Sequence, residues 1–192
     1  MLPAIRAERA ATRKIRLWSA ASSSGQELYS IAMLIKEEGS LRDWTVDLLG
    51  TDLSTEMVER ARAGSYTHFE VQRGLPIQYL AKYFAKTGDS WTISAAMRDA
   101  VKYRPFNLLD DYTQLGAFDV IFCRNVLIYF DTPTKANILE RMSRLLNPGG
   151  FLFLGGAETV LGVSDRFVPF AGNPGVYVAA KAAVAPVRVA AR

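Results

Sequence analysis

A chain of 192 residues, 49% hydrophobic and 22% charged with a net charge of +4, has the material for one soluble domain with a real core. A single cysteine, Cys123, excludes an intrachain disulfide and any multi-cysteine metal site, and a single histidine, His68, leaves almost nothing for His-rich zinc sites or His-based hydrolytic triads. No apolar run approaches the ~18 residues of a membrane-spanning helix, so neither a metal centre nor a transmembrane segment is expected, and the cysteine usage suits the cytoplasm.

The basic excess sits at the ends, with Arg6, Arg9, Arg13, Lys14 and Arg16 at one and Lys181, Arg188 and Arg192 at the other. Nucleic acid, a membrane surface or an acidic protein would fit that charge, and so would plain solvation of the termini. Residues 1–14 read as a basic helix or lead-in, with Leu2, Ile5 and Ala10 as candidates to face the body. Ile15 and Leu17 alternate with Arg16 and Trp18 as in a strand, about 15–20. The side chains then shrink through Ser19, Ala20, Ala21, Ser22, Ser23, Ser24 and Gly25. A helix follows to about Glu38, with Leu28, Ile31, Ala32, Leu34 and Ile35 on its period, and Gly39-Ser40 ends it.

Trp44 to Thr51 predicts a second strand, with Asp52 just past its end. Ser54 is a fair N-cap for a helix that carries Met57, Val58 and Ala61 and stops at Gly64. Residues 65–105 change character and predict a small antiparallel insertion. In it, Ile77 to Phe84 is a short helix, Thr87-Gly88-Asp89-Ser90 a turn, and Trp91-Thr92-Ile93 pairs with Val101-Lys102-Tyr103. The α/β rhythm resumes at Phe106 to Leu109. Phe118 to Phe122 reads as a central parallel strand, Thr132-Pro133 opens a helix by N-cap and N1 logic, and Ile138, Leu139, Met142, Leu145 and Leu146 form its buried face. Asn147-Pro148-Gly149-Gly150 turns into the strand FLFLGG, with which Val176 to Val178 pairs as the last strand. Residues 1–179 form one domain, and 180–192 read as a frayed tail.

A strand, a tight run of small residues and a helix is how an α/β protein opens a nucleotide or cofactor site. Small side chains let backbone N–H groups approach the ligand, and the helix N-terminus adds partial positive charge. One glycine in that loop is a weak signal by itself; its weight comes from what lies downstream.

WSAASSSGQELYS, GTDLS, NLL, FDVIFCRNVLIYFD and LNPGGFLFLGGAET occur in one order at sensible spacings. Together they resemble the bacterial chemotaxis-receptor (CheR-type) methyltransferases, over roughly residues 3–179, with CRNVLIYFD as the specific part. The resemblance implies a class I methyltransferase fold: a Rossmann-like, mostly parallel sheet with helices on both faces and a small antiparallel insertion. It also implies transfer of a methyl group from S-adenosylmethionine to glutamate side chains of methyl-accepting receptors, leaving S-adenosylhomocysteine. Family members carry an N-terminal helical domain with a phenylalanine-arginine segment that helps hold the methionine end of the cofactor, and this chain starts after it. The family loop STGEEPYS also differs here: Ser24 keeps the hydroxyl of the threonine, whereas Leu28 replaces the proline.

By the same resemblance, Ser24, Gly25, Glu27, Asp52, Asn107, Leu108, Arg124 and Asn125 form the cofactor site, and Tyr129 and Arg124 serve the reaction. Glu27 binds the ammonium of the methionine moiety or fixes the loop; a plain helix N-terminal acid is the alternative. Asp52 suits a grip on both ribose hydroxyls, as the acidic residue of dinucleotide folds does, or is an ordinary cap or turn aspartate. Asn107 and Leu108 read and cover the adenine, or Leu108 is simple core. Tyr129 orients the incoming carboxylate, or is an aromatic core residue. Glu158 supports the CRN loop, and Cys123 is a small buried hydrophobe. The expected partner is the receptor cytoplasmic domain, met by a monomer through the 65–105 insertion. The short turn Lys86–Ser90 argues that the chain lacks the loop that captures a receptor C-terminal peptide. Two other readings stay open. One is a class I methyltransferase acting on a small molecule or nucleic acid, against which the absence of an N/D-P-P-Y/F motif weighs. The other is a cofactor-binding module without transfer activity.

Overall fold

The computed structural model describes residues 1–180. Helix α1 (Leu2–Glu8) leads to β1 (Lys14–Ala20), followed by α2 (Gln26–Glu38), β2 (Thr45–Asp52) and α3 (Thr55–Ala63). The chain then builds β3 (Ser65–Thr67), α4 (His68–Gln72), α5 (Ile77–Tyr83), β4 (Phe84–Thr87), β5 (Ser90–Ile93) and α6 (Ala95–Asp99). It continues with β6 (Val101–Pro105), β7 (Phe118–Cys123), α7 (Thr132–Leu145), β8 (Leu146–Leu154), β9 (Phe167–Pro169) and β10 (Val176–Ala179).

Seven strands form one sheet in the order β6-β2-β1-β7-β8-β10-β9, and β3-β5-β4 form a second. The first five strands of the large sheet are parallel; β10 runs antiparallel to β8, and β9 to β10. From β1 the chain winds outward to β2 and β6, then crosses back to β7 on the other side. The carboxyl ends of β1 and β7 therefore flank a topological switch point, where open α/β sheets bind ligands.

The alternation in β1 explains the layers. Ile15 and Leu17 enter the apolar layer shared with α2, α3 and the small sheet, while Trp18 and Ala20 enter the opposite layer with Ile138, Leu139 and Met142 of α7. Trp18 is fully buried, donates its indole N–H to Thr51 Oγ1 at 2.9 Å, and meets Tyr112 edge-on. Among the described residues Asp119 is the one charged residue buried inside a strand, and its carboxylate is satisfied. It accepts Arg9 Nε at 2.5 Å, the Arg16 amide at 2.8 Å and Asn147 Nδ2 at 2.9 Å. Those bonds tie the end of the α1 segment to β1 and to the start of β8, which is why a buried carboxylate is tolerated here.

Several expectations change. Val101-Lys102-Tyr103 does not pair with Trp91-Thr92-Ile93. It lies in β6, parallel to β2 with Tyr103 opposite Gly50, so the large sheet resumes at Val101 rather than at Phe106. The true partners of β5 are β3 and β4, the latter through the two-residue turn Gly88-Asp89. The cap of α7 is Asp131, which accepts the Thr134 amide; Thr132 is the first helical residue. On α2 the buried positions are Leu28, Tyr29, Ala32 and Met33, while Leu34 is exposed. Ala10 is also exposed, and Arg9 turns inward in its place. Asn147 to Gly150 belongs to β8, at a register irregularity rather than in a free turn. The strands β3, β4 and β9 and the helices α4 and α6 have no counterpart among the sequence expectations. The tail reading lies outside the described residues from 181 on.

Candidate functional site

The loop from Ala20 to Gln26 takes an unusual path. Ala21 and Ser23 have left-handed backbone conformations (φ 64 and φ 48), and Gly25 has φ 88. Three such residues within five explain the small side chains, since a large or β-branched residue adopts this conformation only at a cost. The end of β2 holds the loop in place. The Ser22 amide donates to Thr51 O at 2.8 Å and the Ser23 amide to Asp52 Oδ2 at 2.8 Å, while Asp52 Oδ1 accepts the Ser54 amide at 3.0 Å. Asp52 is the last residue of β2, and its carboxylate is oriented by two backbone donors. Each oxygen keeps a further lone pair for a ligand hydroxyl.

A second set of contacts crosses from β1 to β7. Glu27, in the first turn of α2, accepts the Ser19 hydroxyl on Oε1 at 2.9 Å and Arg124 Nη1 on Oε2 at 2.8 Å. Two of the predicted site residues, Glu27 and Arg124, are thus an ion pair, half exposed on the arginine side. Beyond Arg124, Asn125 is again left-handed (φ 58). Glu158 gathers this turn: Oε2 accepts the Asn125 amide at 2.8 Å and the Gly155 amide at 2.7 Å. Oε1 accepts the Val126 amide at 2.9 Å and the Leu127 amide at 2.7 Å. The role expected of Glu158, support of the CRN turn, is what its bonds show.

Not every predicted residue presents its side chain at this edge. Leu108 is 6% exposed and packs in the layer around Trp18. Asn107 stands two residues past β6, with Oδ1 accepting the Leu109 amide at 2.9 Å. The Ser24 hydroxyl is turned onto Gln26 Oε1 at 3.0 Å. Tyr129 is not a core residue: it is 80% exposed at the end of the 3-10 turn Leu127–Tyr129. Sequence reasoning passed over Ser22, whose buried hydroxyl has no hydrogen-bond partner among the described residues. It also passed over Ser19, which shares Glu27. No pattern marks these two within a run of small residues.

Cys123 ends β7 directly behind this edge with no exposure. Burial pushes its thiol pKa far up, and the carboxylates of Glu158 and Glu27 add to the shift. The thiolate is the reactive form, so the folded chain is expected to resist a thiol-specific alkylating reagent at pH 8 and to react stoichiometrically once unfolded in denaturant. Rapid labelling of the folded chain would show that the end of β7 opens to solvent.

The carboxyl ends of β2, β1 and β7 therefore carry an oriented carboxylate, a backbone cradle and an ion pair side by side. Residues 1–176 match the family described as CheR methyltransferase, SAM binding domain. Relatives include a chemotaxis protein methyltransferase of Vibrio parahaemolyticus, 42% identical over 92% of this chain and 64% of that protein. Another is chemotaxis protein methyltransferase Cher2 of Pseudomonas putida, 43% identical over 88% of this chain and 63% of its own length. The chain thus spans somewhat less than two thirds of these relatives. Among solved structures, the glycopeptide N-methyltransferase MtfA complexed with (S)-adenosyl-L-methionine aligns over 79% of this chain and 48% of that chain, at 17% identity and a TM-score of 0.46. On the extent of the family match and the identity of the relatives, this chain belongs to the CheR methyltransferase family and comprises its S-adenosylmethionine-binding domain.

Proposed function

We propose that this chain transfers the methyl group of S-adenosylmethionine to glutamate side-chain carboxylates of methyl-accepting chemotaxis receptors in the cytoplasm, acting as a monomeric protein-glutamate O-methyltransferase. The observation that carries the reading is the pairing of two charged sets on either side of β1, Asp52 beside loop 22–25 and Glu27 with Arg124. The donor set fits the cofactor. A carboxylate with free lone pairs suits a vicinal diol, and a carboxylate with a guanidinium is complementary to the ammonium and carboxylate of an amino acid. Ser22 Oγ supplies a buried group in the loop between them that has no partner among the described residues.

When bound, the cofactor supplies an electrophilic methyl on a sulfonium. The new bond forms between a glutamate oxygen and the methyl carbon, the carbon–sulfur bond breaks, and its electron pair returns to sulfur, giving a methyl ester and a neutral thioether. Glutamate, with an ordinary pKa of about 4.3, is already an anion at neutral pH, so no residue of this chain has to take a proton. What the residues contribute is position. Asp52 orients the nucleoside, Glu27 and Arg124 the amino-acid end, and Glu158 holds the CRN turn. Tyr129, exposed at the rim, offers a phenol to the incoming carboxylate. Correct placement alone is worth several kcal/mol in such a displacement.

The test is a tritiated-methyl transfer assay on receptor cytoplasmic fragments. Label that is released as methanol by mild base is expected, since carboxylate esters hydrolyse there. Base-stable label, label in RNA, or none would refute the reading. In the two-residue hairpin Gly88-Asp89, Thr87 already pairs with Ser90. Titration with a receptor C-terminal peptide is accordingly expected to show no saturable binding.

A further inference from the structure

Loop 21–25 holds a conformation that two of its residues, Ala21 and Ser23, adopt only under constraint, so its surroundings must over-determine it. The end of β2 binds the loop amides. Two of the loop carbonyls accept phenols from outside the loop: the Tyr66 hydroxyl donates to Ser24 O at 2.8 Å and the Tyr103 hydroxyl to Gly25 O at 3.0 Å, the latter oxygen also accepting the Tyr29 amide of α2 at 3.1 Å. Both side chains are buried, at 3% and 5% exposure, and both rings meet Tyr29 edge-on. Burial raises both phenol pKa values well above the ordinary range, so each hydroxyl stays a donor. The two come from different places. Tyr103 lies on the edge strand β6 of the large sheet, and Tyr66 on β3 of the small one.

We propose that Tyr66 and Tyr103 are positioning residues for the cofactor, acting through the carbonyls of Ser24 and Gly25. Through Tyr66 the small three-stranded sheet becomes a support of the cofactor site. This rests on the S-adenosylmethionine reading of the site. Its consequence is reciprocal: whatever shifts the small sheet changes cofactor affinity, and cofactor binding steadies the small sheet by the same factor.

The experiment is calorimetric titration with S-adenosylhomocysteine of the whole chain and of Tyr66→Phe, Tyr103→Phe and Tyr83→Phe, with melting temperatures measured alongside. Tyr83 is the control. It is buried and belongs to the same insertion, but its hydroxyl bonds Glu37, at the far end of α2 from the loop. All three variants are expected to melt lower than the parent. Only Tyr66→Phe and Tyr103→Phe should weaken binding, by about three- to tenfold, the scale of one lost hydrogen bond. In the transfer assay they should raise the KM for S-adenosylmethionine by a similar factor, with kcat at saturation within about twofold of the parent. Loop-tyrosine variants that melt lower but bind as tightly as the parent would overturn the proposal, as would a Tyr83→Phe variant that loses affinity equally. A parent chain that binds no S-adenosylhomocysteine would overturn the reading of the site itself, and the proposal with it.

Discussion

Replacing Glu158 with alanine is expected to lower the unfolding free energy by about 3–5 kcal/mol, read as a fall in the urea midpoint at unchanged m-value. The carboxylate is 8% exposed and accepts four backbone amides, those of Asn125, Val126, Leu127 and Gly155. Truncation removes every acceptor at once and leaves those donors in a space that water enters poorly. An unsatisfied buried donor costs about 1–3 kcal/mol, and partial relaxation keeps the total below the sum. Glu158→Gln separates shape from charge. An amide oxygen can still serve two amides, but its NH2 group faces the other two, so roughly half the loss is expected. The functional consequence follows from place, because these amides belong to the turn that carries Arg124 and Asn125. Glu158→Gln, if folded, should therefore bind S-adenosylhomocysteine more weakly. A Glu158→Ala chain as stable as the parent would show that the turn holds itself.

Gly25→Ala is expected to cost about 2–4 kcal/mol of stability and at least tenfold in S-adenosylhomocysteine affinity. With φ at +88, any side chain there is strained, and a Cβ would stand 2.6 Å from the Tyr103 hydroxyl oxygen and 2.9 Å from Ala61 Cβ. Neither neighbour can yield easily. Tyr103 is buried and bonded to Gly25 itself, and Ala61 is the fully buried face of α3. The loop must move instead, taking with it the Ser23 amide that orients Asp52. Denaturant unfolding and calorimetry on the same preparation give both effects. A variant with parental affinity would mean that the path of this loop does not shape the site.

The central elements were legible because their signals are local. The alternation from Ile15 to Trp18, the run of small residues and the helical period after Gln26 identify strand, cradle and helix within 25 residues. Ser54 and Gly64 mark the ends of α3 by capping chemistry that the structure reproduces. Pairing across distance was not legible. Trp91-Thr92-Ile93 and Val101-Lys102-Tyr103 are both short and apolar, and nothing in either says that one joins a hairpin while the other lies beside β2, some fifty residues earlier. The choice is made by burial: Tyr103 covers Gly50 and the loop carbonyl, a contact that exists only once the sheet is assembled. The same reason hid the two loop tyrosines. A phenol that bonds a backbone carbonyl leaves no mark in the sequence of its partner. Asp131 and Thr132 are both acceptable caps, and only geometry decides between them. At the candidate site, Asp52 stood out as an acid at a strand end and Glu27 as one at the start of a helix, whereas the ion pair of Glu27 with Arg124 spans 97 positions and had no local trace.

The most direct test of one cradle at the carboxyl ends of β2, β1 and β7 is calorimetric titration of the parent chain and of Asp52→Ala with S-adenosylhomocysteine. The expected result is saturable one-to-one binding by the parent and an affinity at least tenfold lower for the variant, about 1.4 kcal/mol or more, while its circular dichroism stays that of a folded chain. Equal affinity in the two chains, or no binding by the folded parent, would contradict the account.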